Sequence, residues 1–407
     1  PTDYTGAPID PKAYNTQTAL ALGLDAARRI TPRLSLHLSL TSNQTDGGTD
    51  DAADTTGGSS YESLDHVVRH GADLRAVGRL SSATVVTVGA ETEEEGERSQ
   101  SQSGGAYPST SIFTADRHNT AGYAELVAGA DNATVTLGAR VDDNQAFGTF
   151  GTYRAGAEYS WASGTRVRAN VGTAFQEPSF YENYATGYVL GNPNLRPEHA
   201  DSWEAAVGQS AFEHRLDLEA IYFDQRFHDM IDYNGNALPP SPNYFNVAQA
   251  MAAGEELIAT ADLPADVTLH GSLTHLDTKV LSGGFDSSST SLLLAGRPLL
   301  RRPSLTWSVG VGYSWKDRGS VDGRITSVGR RDDLRYSYGA PYTALDTLAA
   351  YRTVDLSGEV TLVLPATGRP SIAATFRAAN LTDTRYQSVA GFLAPGRTLL
   401  VGAKIGM

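Results

Sequence analysis

The chain has 407 residues with 41 Gly, 18 Pro, 19 Tyr and no Cys, a formal net charge of -14 and a mean hydropathy of -0.28. No run approaches the roughly 18 to 20 apolar residues that a membrane-spanning helix needs, so helical insertion is excluded. The negative balance argues against nucleic acid, which is gripped by clustered Lys and Arg. Without Cys there is neither a disulfide framework nor a thiolate metal site.

The chain opens at Pro1 with no Met and no basic-then-apolar leader, which reads as a processed chain or a fragment. Beyond residue 16 the sequence alternates. Leu34, Leu36, Leu38 and Leu40 are separated by Ser35, His37 and Ser39, placing the leucines on one face of a strand and the polar groups on the other. The same period runs through Ala133, Val135, Leu137, Ala139 and Val141, then Tyr153 to Trp161, Val167 to Val171, and Leu305 to Trp315.

In chain order the pattern predicts strands at 17–28, 33–43, 62–79, 82–97, 115–129, 132–143, 150–162, 164–175, 201–210, 213–231, 243–261, 265–280, 301–315, 319–331, 351–364, 370–380 and 397–407. The apolar stripes run about 9 to 11 residues, enough to cross a bilayer at a tilt, and Tyr or Trp often closes them as an interfacial girdle would. The opposite face carries Arg, Glu, Asp, Asn and Gly, which suits a wet or plugged lumen. A large soluble all-β domain also alternates, but lacks a reason for the girdles. Tight turns near 31, 80, 130, 163, 212, 263, 317 and 367 alternate with long polar loops at 44–61, 98–114, 176–200, 232–242, 281–300, 332–350 and 381–396. The fold expected is therefore all-β, a transmembrane antiparallel β-barrel.

Bacterial single-chain barrels have an even number of strands, and the count here is odd. With the last strand ending in the periplasm, residues 1–16 fall in an extracellular loop, so an N-terminal part is expected to be missing. About 17 strands of a 22-stranded barrel would be present, and the plug that fills a lumen of that size would be absent from this chain.

From 137 onward the residues become distinctive. Gly172, Thr173, Phe175, Pro178, Gly191, Asn192, Pro193, Leu195, Pro197, Glu198, Trp203 and Glu204 form a long phrase, and Asn380, Leu381, Asp383, Arg385 and Tyr386 precede a Pro395-Gly396-Arg397 turn into the final strand. These resemble the TonB-dependent outer-membrane receptor barrel. Within that family, YFDQRFHDMIDYN (222–234), YFNVAQAMAAGEEL (244–257), DDNQAFG (142–148) and RPLLRRP (297–303) are similar to phrases of the vitamin B12 (cobalamin) receptor group, and ferric-siderophore receptors share most of them. The likeness covers essentially the whole chain, read as one barrel over 1–407. The departures are Met407, where an aromatic ending is usual, and the looser phrase around Glu256.

The resemblance implies a bacterial outer-membrane receptor, monomeric, that binds cobalamin or else a ferric siderophore. It imports that ligand with energy from the TonB complex, engaged through the missing N-terminal region. It also implies calcium in extracellular loops, for which Asp3 and Asp10 match the family's acidic ligands, whereas Asp46, Asp50, Asp51 and Asp54 read equally as a solvated loop; hard Ca²⁺ favours clustered oxygens. Tyr181, Tyr184 and Tyr188 share one long loop, where amphipathic rings suit a large planar ligand or loop packing. The prolines of that loop, with Gly191, set its path. Arg140, Arg154, Arg166 and Arg168 with Glu158, Asp217 and Glu219 are expected to form a salt-bridged lining or to meet a plug. No nucleophile elbow, paired-carboxylate site or histidine ligand spacing stands out, so no enzyme is expected. A passive porin and an outer-membrane barrel enzyme are the alternatives.

Overall fold

The computed structural model describes residues 12–53, 58–106, 108–234, 237, 240–284, 294–336, 343–364 and 370–406. The first half of the wall is β1 (Tyr14–Thr31), β2 (Leu34–Asp51), β3 (Ser60–Arg79), β4 (Thr84–Gly104), β5 (Ser109–Ala130), β6 (Ala133–Asn144), β7 (Gly148–Ser160) and β8 (Thr165–Gln176). After a five-residue helix α1 (Phe180–Tyr184) come β9 (Glu198–Ala211), β10 (Leu216–Tyr233), β11 (Tyr244–Leu263), β12 (Val267–Ser282), β13 (Leu305–Ser314) and β14 (Gly319–Val328). The remainder is β15 (Arg331–Tyr336), β16 (Thr343–Leu348), β17 (Tyr351–Val363), β18 (Ser371–Ala379), β19 (Gln387–Val389), β20 (Phe392–Leu393) and β21 (Thr398–Gly406).

Seventeen strands make one antiparallel sheet, and each of the seventeen expected strands is found in it. β1 to β14 pair in sequence order, then β14 pairs β17, β17 pairs β18 and β18 pairs β21. Such a meander needs only local connections. Among the described residues β1 and β21 each pair on one side only.

The register carries the two-residue period around the wall. Leu137 faces Leu126 on one side and Ala155 on the other, while Arg140 faces Tyr123 and Thr152. The outer face keeps Leu36, Leu38, Leu137, Tyr153, Trp203, Val309 and Tyr313 exposed, an apolar belt that only lipid makes favourable. Ring pairs close the stripes at one end: Tyr159 meets Trp161 at 4.6 Å and Tyr313 meets Trp315 at 5.8 Å between centroids. The tight turns impose unusual backbone. At the β7–β8 turn Gly164 has φ +84, and a Cβ there would collide with the Ser210 carbonyl of the adjoining β9, so glycine is required.

Two expectations about loops need correction. Most of 44–61 and 98–114 is strand, because β2 pairs β3 as far as Asp51 and Tyr61, and β4 pairs β5 as far as Ser103 and Ser109. These stretches carry Thr, Ser, Gln and Gly on both faces, which reads as loop; paired backbone nevertheless satisfies its own donors and acceptors wherever a neighbouring strand continues. The loops 332–350 and 381–396 likewise hold small hairpins, β15–β16 and β19–β20.

Candidate functional site

The inner face is a lattice of ion pairs. Arg166 contacts Asp217 at 2.7 Å and Glu219 at 2.8 Å, and Arg168 contacts Glu219 at 2.7 Å. Arg140 reaches Glu91 and Asp142, both at 2.9 Å, and Arg154 pairs with Glu125. The four arginines are therefore a salt-bridged lining, as one of the two expectations had it. Among the described residues Glu158 joins no ion pair; Glu91, Glu125 and Asp142 take that place. Cross-strand neighbours that share the inner face, not neighbours in sequence, decide these partners, so one strand alone could not reveal them.

The segment between β8 and β9 folds across the mouth. Its first anchor is Arg117 of β5, whose side chain is 13% exposed and bridges Glu95 at 2.7 Å and Glu177 at 3.0 Å. The same guanidinium donates to the Pro178 carbonyl at 2.8 Å and lies 4.6 Å from the Phe180 ring centroid, joining ion pairing to a cation–π contact. Burial raises the Glu177 carboxyl above its ordinary value, an effect that Arg117 opposes. Ser179 and Glu182 then form a capping box: the Glu182 N–H donates to Ser179 Oγ and the Ser179 N–H to Glu182 Oε2, which starts α1.

Past α1 the chain doubles back. The Gly191 N–H donates to the Ala185 carbonyl at 2.9 Å and that of Asn192 to the Glu182 carbonyl at 2.8 Å. A Cβ on Gly191 would sit 2.5 Å from the Asn183 carbonyl, so the close approach excludes any other residue. Asn192 Nδ2 donates to the Tyr244 carbonyl, the Leu190 N–H to Asn243 Oδ1, and the Arg196 N–H to Asn246 Oδ1, each at 2.8 Å. Leu195 and Pro178 are buried. On the other side Thr186 exchanges two hydrogen bonds with the backbone of Ile112. The loop thus spans from β5 to β11 as a fixed crosspiece.

Of the three expected tyrosines, Tyr181 and Tyr188 converge and Tyr184 does not: Tyr184 stacks against Phe180 at 6.3 Å. Tyr181 lies 6.4 Å from both Phe113 and Tyr244, and Tyr244 lies 5.3 Å from Tyr233. Burial raises the Tyr181 phenol above its ordinary value. Tyr181 and Tyr188 join Tyr61 of β3 and the serines of β4 and β5 around a cradle of about 480 Å³. A second tie between loops is built on Asp333, fully buried, which accepts from Arg301 Nε and the Ala390 N–H, each at 2.7 Å. That carboxylate ties the loop before β13 to both small hairpins.

Asp3, Asp10 and Asp54 lie outside the described residues. Asp46 contacts His66 at 2.6 Å and Asp50 accepts from the Tyr14 hydroxyl at 2.9 Å, so these two carboxylates are engaged within the wall. Among the described residues no group of three or more His, Cys, Asp or Glu side chains could hold a metal ion.

A family model described as TonB dependent receptor-like, beta-barrel, matches residues 1–381. The vitamin B12 transporter BtuB of Vibrio cholerae serotype O1 is 29% identical over 288 residues, 69% of this chain and 41% of that relative. The chain therefore spans less than half the length of the curated relative it matches. Among solved structures, the pyoverdine receptor FpvA of Pseudomonas aeruginosa PAO1 superposes with a TM-score of 0.72 at 14% identity, covering 97% of this chain and 62% of that one. The ferric citrate transporter FecA gives 0.71 at 13% identity over 99% and 65%, and the copper transporter OprC 0.71 at 16% over 95% and 64%. At these identities the likeness is one of fold.

Proposed function

Because the chain belongs to the TonB-dependent receptor β-barrel family, whose members are outer-membrane receptors and transporters for scarce nutrients, we propose that it forms the wall and mouth of an active importer of cobalamin. The observation that carries the substrate is the 29% identity to a vitamin B12 transporter across 288 residues; a ferric siderophore is the second reading, favoured by the fold shared with FpvA and FecA. Ligand settles in the mouth under the 177–198 crosspiece. TonB, engaging a region outside this wall, supplies the energy for passage through it. The protein acts as a monomer without enzymatic chemistry. The lumen lattice and the fixed crosspiece support a gated receptor better than a passive pore, which has no use for a ligand-sized cradle at its rim.

The test is uptake of radiolabelled cyanocobalamin by cells carrying the intact gene. Saturable uptake that disappears when TonB is deleted is expected; uptake of a ferric complex in its place moves the substrate to the siderophore reading, and no TonB-dependent uptake of either removes the importer. Calcium at Asp3 and Asp10 rests on the sequence resemblance alone. It predicts a weaker binding affinity in EDTA, and an unchanged affinity retires it.

A further inference from the structure

The cradle at the mouth and the wall beneath it have opposite character. Tyr61, Tyr181 and Tyr188 supply the rings, and Ser101, Ser103, Ser109 and Ser111 supply hydroxyls from β4 and β5; among the described residues no charged side chain lines the space. Ser111 and Ser109 are partly occupied in holding the crosspiece, through the Thr186 and Tyr188 N–H groups. The phenols of Tyr61, Tyr181 and Tyr188 and the hydroxyl of Ser101 make no hydrogen bond to another described residue. Each is therefore a free donor and acceptor on a neutral surface.

Down the same inner face come Asp65, Glu97, Glu95, Glu93 and Glu91, since Tyr61, Asp65 and Arg69 alternate along β3 opposite Ser103, Ser99 and Glu95 of β4. The guanidiniums on this stretch are already neutralised: Arg69 by Glu93 and Glu95, Arg117 by Glu95 and Glu177, Arg140 by Glu91 and Asp142. An anion entering the cradle meets a carboxylate-rich wall in a chain of net charge -14, and focusing between low-dielectric walls strengthens that repulsion.

We infer that the cradle accepts a large ligand through an uncharged, amide- or hydroxyl-bearing face and discriminates against polyanionic ligands. The inference rests on the receptor reading above and narrows it: ferric complexes carrying several negative charges are disfavoured, and neutral ferric complexes and corrinoids are not. Tyrosine rings flank the flat part of the ligand, and the serine rows of β4 and β5 meet its polar edge.

Three probes on the purified intact receptor separate the cases: cyanocobalamin, a neutral ferric tris-hydroxamate and a triply anionic ferric tris-catecholate. The expected result is that at least one neutral probe binds about 100-fold or more tightly than the anion, a gap of about 2.7 kcal/mol, and that added salt narrows it. Tighter binding of the tris-catecholate overturns the inference, and so does binding of neither neutral probe. A double variant, Ser101→Lys with Ser103→Lys, is expected to raise affinity for the anion at least about tenfold, and an unchanged affinity removes the cradle as the contact surface. TonB-dependent uptake of the anion in cells sinks this inference while preserving the receptor, whereas loss of TonB dependence for every probe sinks the receptor itself.

Discussion

Arg117 shows how much of the mouth depends on one side chain. It touches two carboxylates, a carbonyl and an aromatic ring of the crosspiece, and removing one partner of a largely buried ionic cluster leaves the others unpaired. Arg117→Ala is expected to lose about 2 kcal/mol of loop docking, a roughly 30-fold rise in hydrogen exchange at the amides of 181–192, with ligand affinity falling at least tenfold while the wall remains folded. Exchange unchanged in that segment removes Arg117 as the anchor. The Glu177 carboxyl is raised by burial, so its neutral form favours docking; the contribution is complete below the ordinary carboxylate range and is lost as pH rises through the raised value. Without Arg117 to oppose it, the loss moves to higher pH. At the residue scale the sequence was only partly legible. Tyr181 and Tyr188 stand out because three tyrosines share a loop, but Arg117 and Asn246 lie on other strands and Asn243 just ahead of one, and only the register brings them to the crosspiece. Tyr184 sits one turn from Phe180 on a capped helix, a local contact that a loop reading hides.

Strands were the most legible elements, because alternation is imposed by the environment on each side: lipid on one, ions and water on the other. Leu137 and Thr136 are adjacent in β6 and face opposite ways, Leu137 outward at 47% exposure and Thr136 toward Glu125 and Arg154 inside. Leu137→Arg is expected to cost about 2 to 4 kcal/mol if it lies near the bilayer midplane and to reduce the heat-resistant folded band on gels. Thr136→Arg faces carboxylates and is expected to leave that band intact. Equal losses from the two would contradict the assigned faces. The ends of the strands were less legible, since β2 to β5 continue past the apolar belt on Thr, Ser, Gln and Gly, where no alternation remains and only the neighbouring backbone sustains the pairing. Helix α1 was missed because five residues are too short to show a helical period; the Ser179 and Glu182 capping pair was its one signal.

For the whole molecule the decisive quantity is the parity of the wall. Among the described residues sixteen antiparallel pairings link seventeen strands, so β1 and β21 run in the same direction. Closing one upon the other would require a parallel seam, whereas bacterial barrels close with antiparallel strands in even number. Both edges also expose apolar side chains, Leu20, Leu22 and Leu24 on β1 and Leu399 and Val401 on β21, the last at 88%. Lipid cannot satisfy the unpaired backbone of either edge. The expected outcome is that residues 1–407 expressed alone yield no heat-resistant, membrane-inserted species, while the intact gene yields one. Cysteines placed on the outer face at Leu22 and Val401 provide the complementary reading. If further strands complete the wall in even number, the two should not cross-link in the intact protein; a disulfide between them would establish a direct parallel seam and a complete wall of seventeen, leaving a different lumen for the cradle to open into.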